Sequence, residues 1–196
     1  MKRKILGVTG IRSEYDINYP VFKALKEHKD IELELVVSGA HLSSAHDYTI
    51  KNIRKDKFKI VDEVECLFSG NSGASRAKGI GVLIMGLLQT IERTKPDIIF
   101  VTGDGEEPLA AAIAGNYLNI PVAHLFGGDS AVYNADDPIR HAISKIAHIH
   151  FTACKEHSER LFKMGEEKNR IFEVGNPSLD NFLNCPLLSR EELFKQ

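Results

Sequence analysis

The sequence has little that would tie it to a membrane, a nucleic acid or an oxidising compartment. Its most apolar helical stretch, Ile80 to Ile91, is too short to span a bilayer. That stretch is apolar around most of its axis, so it reads as a largely buried helix or as a homodimer contact. The basic opening Lys2-Arg3-Lys4 is followed by an apolar run that stops at Gly7-Val8-Thr9-Gly10. No signal peptide is expected, and the run predicts a first buried strand. No Lys/Arg run is dense enough to mark a nucleic-acid or polybasic membrane surface, and the formal net charge is −2. The three cysteines (Cys66, Cys154, Cys185) lie far apart without paired spacing. Free thiols in a reduced, cytoplasmic protein are expected. Internal repeats and low-complexity segments are absent as well.

What is present is an alternation of strand and helix patterns. Apolar runs at Ile5–Thr9, Ile31–Val37, Ile98–Val101, Ile120–Leu125, His148–Ala153 and Ile171–Val174 predict strands, with Lys59–Leu67 a more polar one near an edge. Helices are predicted at Pro20–His28, Tyr48–Lys55, Ser75–Arg93, Pro108–Leu118, Asp136–Ile146, Glu156–Met164 and from Leu179. Ser69–Gly73 and Ser130–Ala135 read as mobile loops. The alternation predicts an α/β, Rossmann-like parallel sheet with helices on both faces. One domain over 1–183 is expected, with 184–196 a linker or the start of a further domain.

Ligands of such sheets bind at the carboxyl ends of the strands, and the polar residues concentrate there. In the turn after the first strand, Gly10 permits close backbone approach, and Arg12, beside Ser13, could clamp a phosphate through its planar fork. This turn carries neither GxGxxG nor GxxxxGK. Asp104 stands at a strand tip and could orient a hydroxyl or move a proton. Glu106 and Glu107 read as first-turn carboxylates favoured by the helix dipole. Gly127 and Gly128, before Asp129, imply unusual backbone angles or close ligand approach. Asp136 and Arg140 are spaced to share a helix face, which would keep the carboxylate ionised. His41 sits at another strand tip, whereas His124 reads as a satisfied core residue. The set His148, His150, Cys154 and His157 matches no dependable zinc spacing, so no metal is expected.

In order along the chain, Thr9–Tyr15, Gly39-Ala40-His41-Leu42, Lys95–Ile99, Gly103-Asp104, His124–Asp129, Asp136–His141 and Val174–Pro177 resemble the N-terminal half of hydrolysing UDP-N-acetylglucosamine 2-epimerases. The ordered set is specific, although each motif alone is weak. The resemblance implies one half of a glycosyltransferase-B-like fold. A UDP-sugar would lie between this domain and a C-terminal domain that this chain lacks, and no cofactor is implied. It further implies loss of the C2 proton, expulsion of UDP, and addition of water to the resulting glycal. By the same carry-over, Arg12 faces the diphosphate and His41 matches a site histidine. Asp104, Asp129 and Asp136 match acidic site positions, with Arg140 and His141 in the last motif. Two positions depart from the pattern: Gly105, where arginine is usual, and Phe126, where a glutamate often stands. They leave open a different sugar nucleotide, such as a diacetamido-trideoxy sugar, or a non-catalytic subunit.

Overall fold

The computed structural model describes residues 2–70, 72–131, 134–184 and 189–194. β1 (Arg3–Thr9) leads to α1 (Arg12–Glu27), β2 (Ile31–Ser38), α2 (Ile50–Lys55), β3 (Ile60–Val64), α3 (Gly73–Thr94), β4 (Ile98–Thr102) and α4 (Glu106–Tyr117). Then come β5 (Val122–Leu125), α5 (Asp137–Ile146), β6 (Ile149–Thr152), α6 (Lys155–Lys163), β7 (Ile171–Glu173), α7 (Ser178–Asn184) and α8 (Arg190–Leu193). The described strands form one parallel sheet in the order β3-β2-β1-β4-β5-β6-β7.

Strand side chains alternate between the two faces, and each face carries its own core. Leu6, Val8, Val36, Ile99 and Val101 pack with Leu83, Leu87 and Ile91 of α3 and the alanines of α4. Leu35, Val37 and Phe100 pack with Tyr15 and Phe22 of α1, Ile50 and Ile53 of α2, and Phe58. The alanines let α4 lie close to the sheet. A Cβ at Gly115 would stand 2.7 Å from a Val122 methyl, so only glycine fits this approach. The more polar β3 is an edge strand, as expected, and shorter than its pattern suggested.

The main correction concerns α1. The sequence suggested a loop up to a helix start at Pro20, but the helix begins at Arg12 and Pro20 lies inside it. Proline lacks the N–H that would bond to the carbonyl four residues back, here that of Asp16. Asn181 of α7 donates its Nδ2 proton to that carbonyl at 2.6 Å. The hydrogen bond is thus replaced from outside the helix, and Tyr15, Asn18 and Phe22 keep one buried stripe.

The expected domain end at residue 183 falls within α7. Residues 185–188, which include Cys185, and 195–196 lie outside the described residues, as do 71, 132 and 133 of the two expected loops. Cys66 and Cys154 are free. Among the described residues no helix is long and apolar enough to cross a membrane.

Candidate active site

Chain order reverses between β1 and β4: β2 and β3 lie to one side, β5 to β7 to the other. Such a switch point leaves a gap above the strand tips, because the two crossovers run to opposite sides. A crevice of about 940 Å³ opens there. The β1–α1 turn, the segment after β2, the β4–α4 turn and Phe126 line it, with Arg76, Asp136 and Arg140 on its rim.

Arg140 organises one wall. Its side chain is only 11% exposed; one guanidinium nitrogen bonds to Asp104 and the other lies 2.6 Å from Asp129. Burial opposes the positive charge, but the two carboxylates outweigh it and hold the guanidinium pKa above its ordinary value. His157 of α6 places Nε2 3.1 Å from the other Asp129 oxygen. Behind this network, His124 donates its Nε2 proton to the Gly103 carbonyl at 2.8 Å, and its Nδ1 lies 3.2 Å from Ser144 Oγ. Burial pushes the His124 pKa down to about 3, so a neutral ring ties the β4 tip to α5. The core role read for His124 therefore includes bracing Asp104.

Other expected residues are placed differently. Asp136 does not pair with the Arg140 side chain; it meets Arg76 Nη2 of α3 at 2.9 Å, and Arg76 also bonds to Glu106. Ser13 lines the crevice, but the Arg12 side chain is 68% exposed and lies 3.4 Å from Asp16. His41 is fully buried, because the 3-10 turn Gly39–Leu42 folds it beneath β1. Its ring contacts Thr9 Oγ1 at 3.2 Å and Thr49 Oγ1 at 2.7 Å, and burial lowers its pKa to about 4. It holds the wall rather than facing the crevice. Gly127 and Gly128 serve packing. A side chain at Gly128, where φ is +75°, would overlap the His157 carbonyl, and one at Gly127 would crowd His124. His141 lies 3.7 Å from Asp137, one turn away on α5. His150 is fully buried against Glu166 at 3.2 Å. Among the described residues no group of three or more His, Cys, Asp and Glu could hold a metal ion.

Residues 23–196 match the family model described as UDP-N-acetylglucosamine 2-epimerase. The chain belongs to the UDP-N-acetylglucosamine 2-epimerase family. A UDP-N,N'-diacetylbacillosamine 2-epimerase (hydrolyzing) from Legionella pneumophila is 39% identical over 97% of this chain and 50% of its own length. The chain thus spans about half the length of the curated relatives it matches. By structure, it resembles a UDP-GlcNAc 2-epimerase from Neisseria meningitidis solved with UDP-GlcNAc. That likeness has a TM-score of 0.81 and 23% identity, covering 92% of this chain and 48% of that one. A lipopolysaccharide outer core galactosyltransferase shares the fold with a TM-score of 0.62 and 14% identity, over 88% of this chain and 45% of that one. The domain is a Rossmann-like half of a glycosyltransferase-B-like fold.

This epimerase-family domain has site features that sequence reading missed. Arg76 lies in a helix whose pattern gave no hint that it would reach Asp136, 60 residues away. Glu107 is a first-turn carboxylate of α4, as read, but it is only 9% exposed and lines the crevice floor. Burial raises its pKa to about 7. The unfolded carboxyl ionises near its ordinary value, so the folded state holds a proton that the unfolded state has lost. The contribution from neutral Glu107 is complete below pH ~4.5 and is lost as pH rises through about 7. Glu107→Gln is therefore expected to stabilise the protein at pH ~8 by roughly 2–3 kcal/mol and to change little at pH ~4.5. Denaturant unfolding at the two pH values checks this.

Proposed function

We propose that this chain is the N-terminal half of the cleft of a cytoplasmic, hydrolysing sugar-nucleotide 2-epimerase, completed by a C-terminal domain. The observation that carries the reading is Arg140 held between Asp104 and Asp129 at the switch-point crevice, with Asp136 on the rim. The substrate is a UDP-linked 2-acetamido sugar. The 39% identity to the Legionella enzyme favours a diacetylated one such as UDP-N,N'-diacetylbacillosamine.

In the reaction, a carboxylate takes the C2 proton. The C2–H electron pair forms a C1=C2 bond while the C1–O bond breaks and its electrons leave with UDP. Water then adds across the double bond, oxygen at C1 and a proton at C2 from the opposite face. Inversion at C2 needs proton-transfer groups on two sides of the sugar. Asp104 at the β4 tip takes the C2 proton, and Asp136 at the start of α5 relays a proton from water to the opposite face. Asp129 holds the far side of Arg140. Arg12, exposed at the start of α1, exchanges Asp16 for the diphosphate at the crevice mouth, away from the floor, with Ser13 beside it, and His141 steadies the α5 start through Asp137.

The chain extended by a C-terminal domain is expected to release UDP from the UDP-diacetamido sugar. In deuterated water the free product should carry deuterium at C2. UDP release without C2 deuterium would overturn the elimination chemistry. The 196-residue chain alone is expected to show little turnover, because half the nucleotide site comes from the other domain.

Self-association through α3 is part of the same reading. Met85 on that helix is 61% exposed between residues packed on the core. Light scattering should give twice the chain mass, and a monomer would remove this part.

A further inference from the structure

Two buried carboxylates on the crevice floor take no part in the chemistry above. We propose that Glu14 and Glu107 form a subsite for an uncharged acyl-amide group. They hold at least one proton between them and present a donor and an acceptor to the amide C=O and N–H. The inference rests on the acetamido-sugar reading and names the part of the site that recognises the acetamido group.

Both carboxylates converge on one glycine. The Gly10 N–H donates to Glu14 Oε2 at 3.1 Å, and any side chain at Gly10 or Gly39 would overlap the Glu107 carboxylate. Glu14 is 9% exposed and lines the crevice, yet its Oε1 is buried with no hydrogen-bond partner among the described residues. A buried carboxylate oxygen without a partner is a costly arrangement in a folded protein, and a ligand donor at that spot would relieve it.

The chemistry selects the ligand's charge. The amino end of α1 would otherwise favour a phosphate, but the chain's own Glu14 already occupies it. Among the described residues no cation forms an ion pair with Glu14 or Glu107. Arg76, whose charge acts on Glu107, is committed to Glu106 and Asp136. An anion is therefore repelled here. Two ionised carboxylates would offer acceptors only, while a carboxyl beside a carboxylate offers both halves of an amide's hydrogen-bond pattern. Burial, and the charge of Glu107, raise the Glu14 pKa well above its ordinary value, which favours the protonated pair. The crevice also carries apolar lining from Ile11, Ala40, Cys66 and Phe126, which suits an acyl methyl group. Other titratable or charged groups facing the pair are Glu106 of α4, Arg76 of α3, Asp104 at the β4 tip, Cys66 after β3, and His46 before α2.

The test uses the 196-residue chain labelled with nitrogen-15 and N-methylacetamide as the probe, with acetate as an anionic control. At pH ~6 the amide is expected to shift the Gly10, Gly39 and Glu107 resonances saturably. Its affinity should fall by at least about tenfold at the higher pH at which the Gly10 resonance, whose N–H bonds to Glu14, reports both carboxyls ionised. Acetate should leave those resonances in place. Glu107→Gln, neutral at every pH, is expected to keep amide binding at both pH values, and Glu107→Ala to lose it. Absent shifts at pH ~6, equal affinity at both pH values, or binding of acetate would each overturn the subsite. If either variant fails to fold, the wild-type pH comparison decides. Calorimetry of the chain extended by a C-terminal domain, with the UDP-diacetamido sugar, separates the two readings. Amide binding without nucleotide-sugar binding sinks the proposed function alone, and nucleotide-sugar binding with a pH-independent amide response sinks the subsite alone.

Discussion

Asp104→Asn is expected to lower kcat of the complete enzyme by roughly two to four orders of magnitude, the usual contribution of a positioned acid–base group. The fold should survive. Asparagine has the shape of aspartate, and Arg140 keeps Asp129 2.6 Å away as its counter-ion. The neutral amide cannot accept the C2 proton, so kcat should fall while KM changes little. The rate of deuterium exchange at C2 should fall in parallel. Asp136→Asn is expected to behave similarly, with the loss on the step that serves the opposite face of the sugar. Steady-state rates and C2 exchange for the two variants check both expectations. Wild-type rates in both would place the chemistry elsewhere in the crevice.

Arg140→Met should damage stability as well as activity. Removing one member of a buried charge network leaves its partners uncompensated, typically at a cost of about 3–5 kcal/mol. Here Asp104 and Asp129 are 27% and 40% exposed, and water offsets part of that loss. A destabilisation of roughly 2–3 kcal/mol remains, or a fall in Tm of about 5–10 °C for a domain of this size. Thermal unfolding checks the value. Adding Asp104→Asn to Arg140→Met should restore part of the lost stability, because it removes one stranded charge. Arg76 sets the contrast. Its side chain is 53% exposed, so Arg76→Met should cost less than about 1 kcal/mol while still releasing Asp136.

The fold was legible because its strands are continuous β-branched and apolar runs separated by helices at short intervals. Ile98–Val101 could only be a central strand, and it is one. α1 was misjudged because Pro20 was taken for a helix start, and the replacement bond from Asn181 comes from a residue 165 positions later in the chain. The same limit governed the site. Asp104, Asp129 and Arg140 meet through local turns at neighbouring strand tips, and those turns showed in the sequence as glycine–aspartate pairs and the Asp136–His141 motif. Glu107 does stand in the first turn of α4, as read, but its burial was not legible, because an acidic residue there is ordinarily solvated. Nothing local reveals that Gly10 and Gly39 fold over it. His41 carried the reverse error: a histidine after a strand suggests a cleft, but the turn Gly39–Leu42 carries it inward.

The tie between Asn181 and the Asp16 carbonyl has a mechanical consequence. The helix gripped at Pro20 is the one whose opening turn supplies Ser13 and Glu14 to the crevice. Traction on the chain beyond Asn184 would be delivered through this clasp to α1, and from there to the mouth of the cavity. The clasp and the crevice floor would then move as one lever.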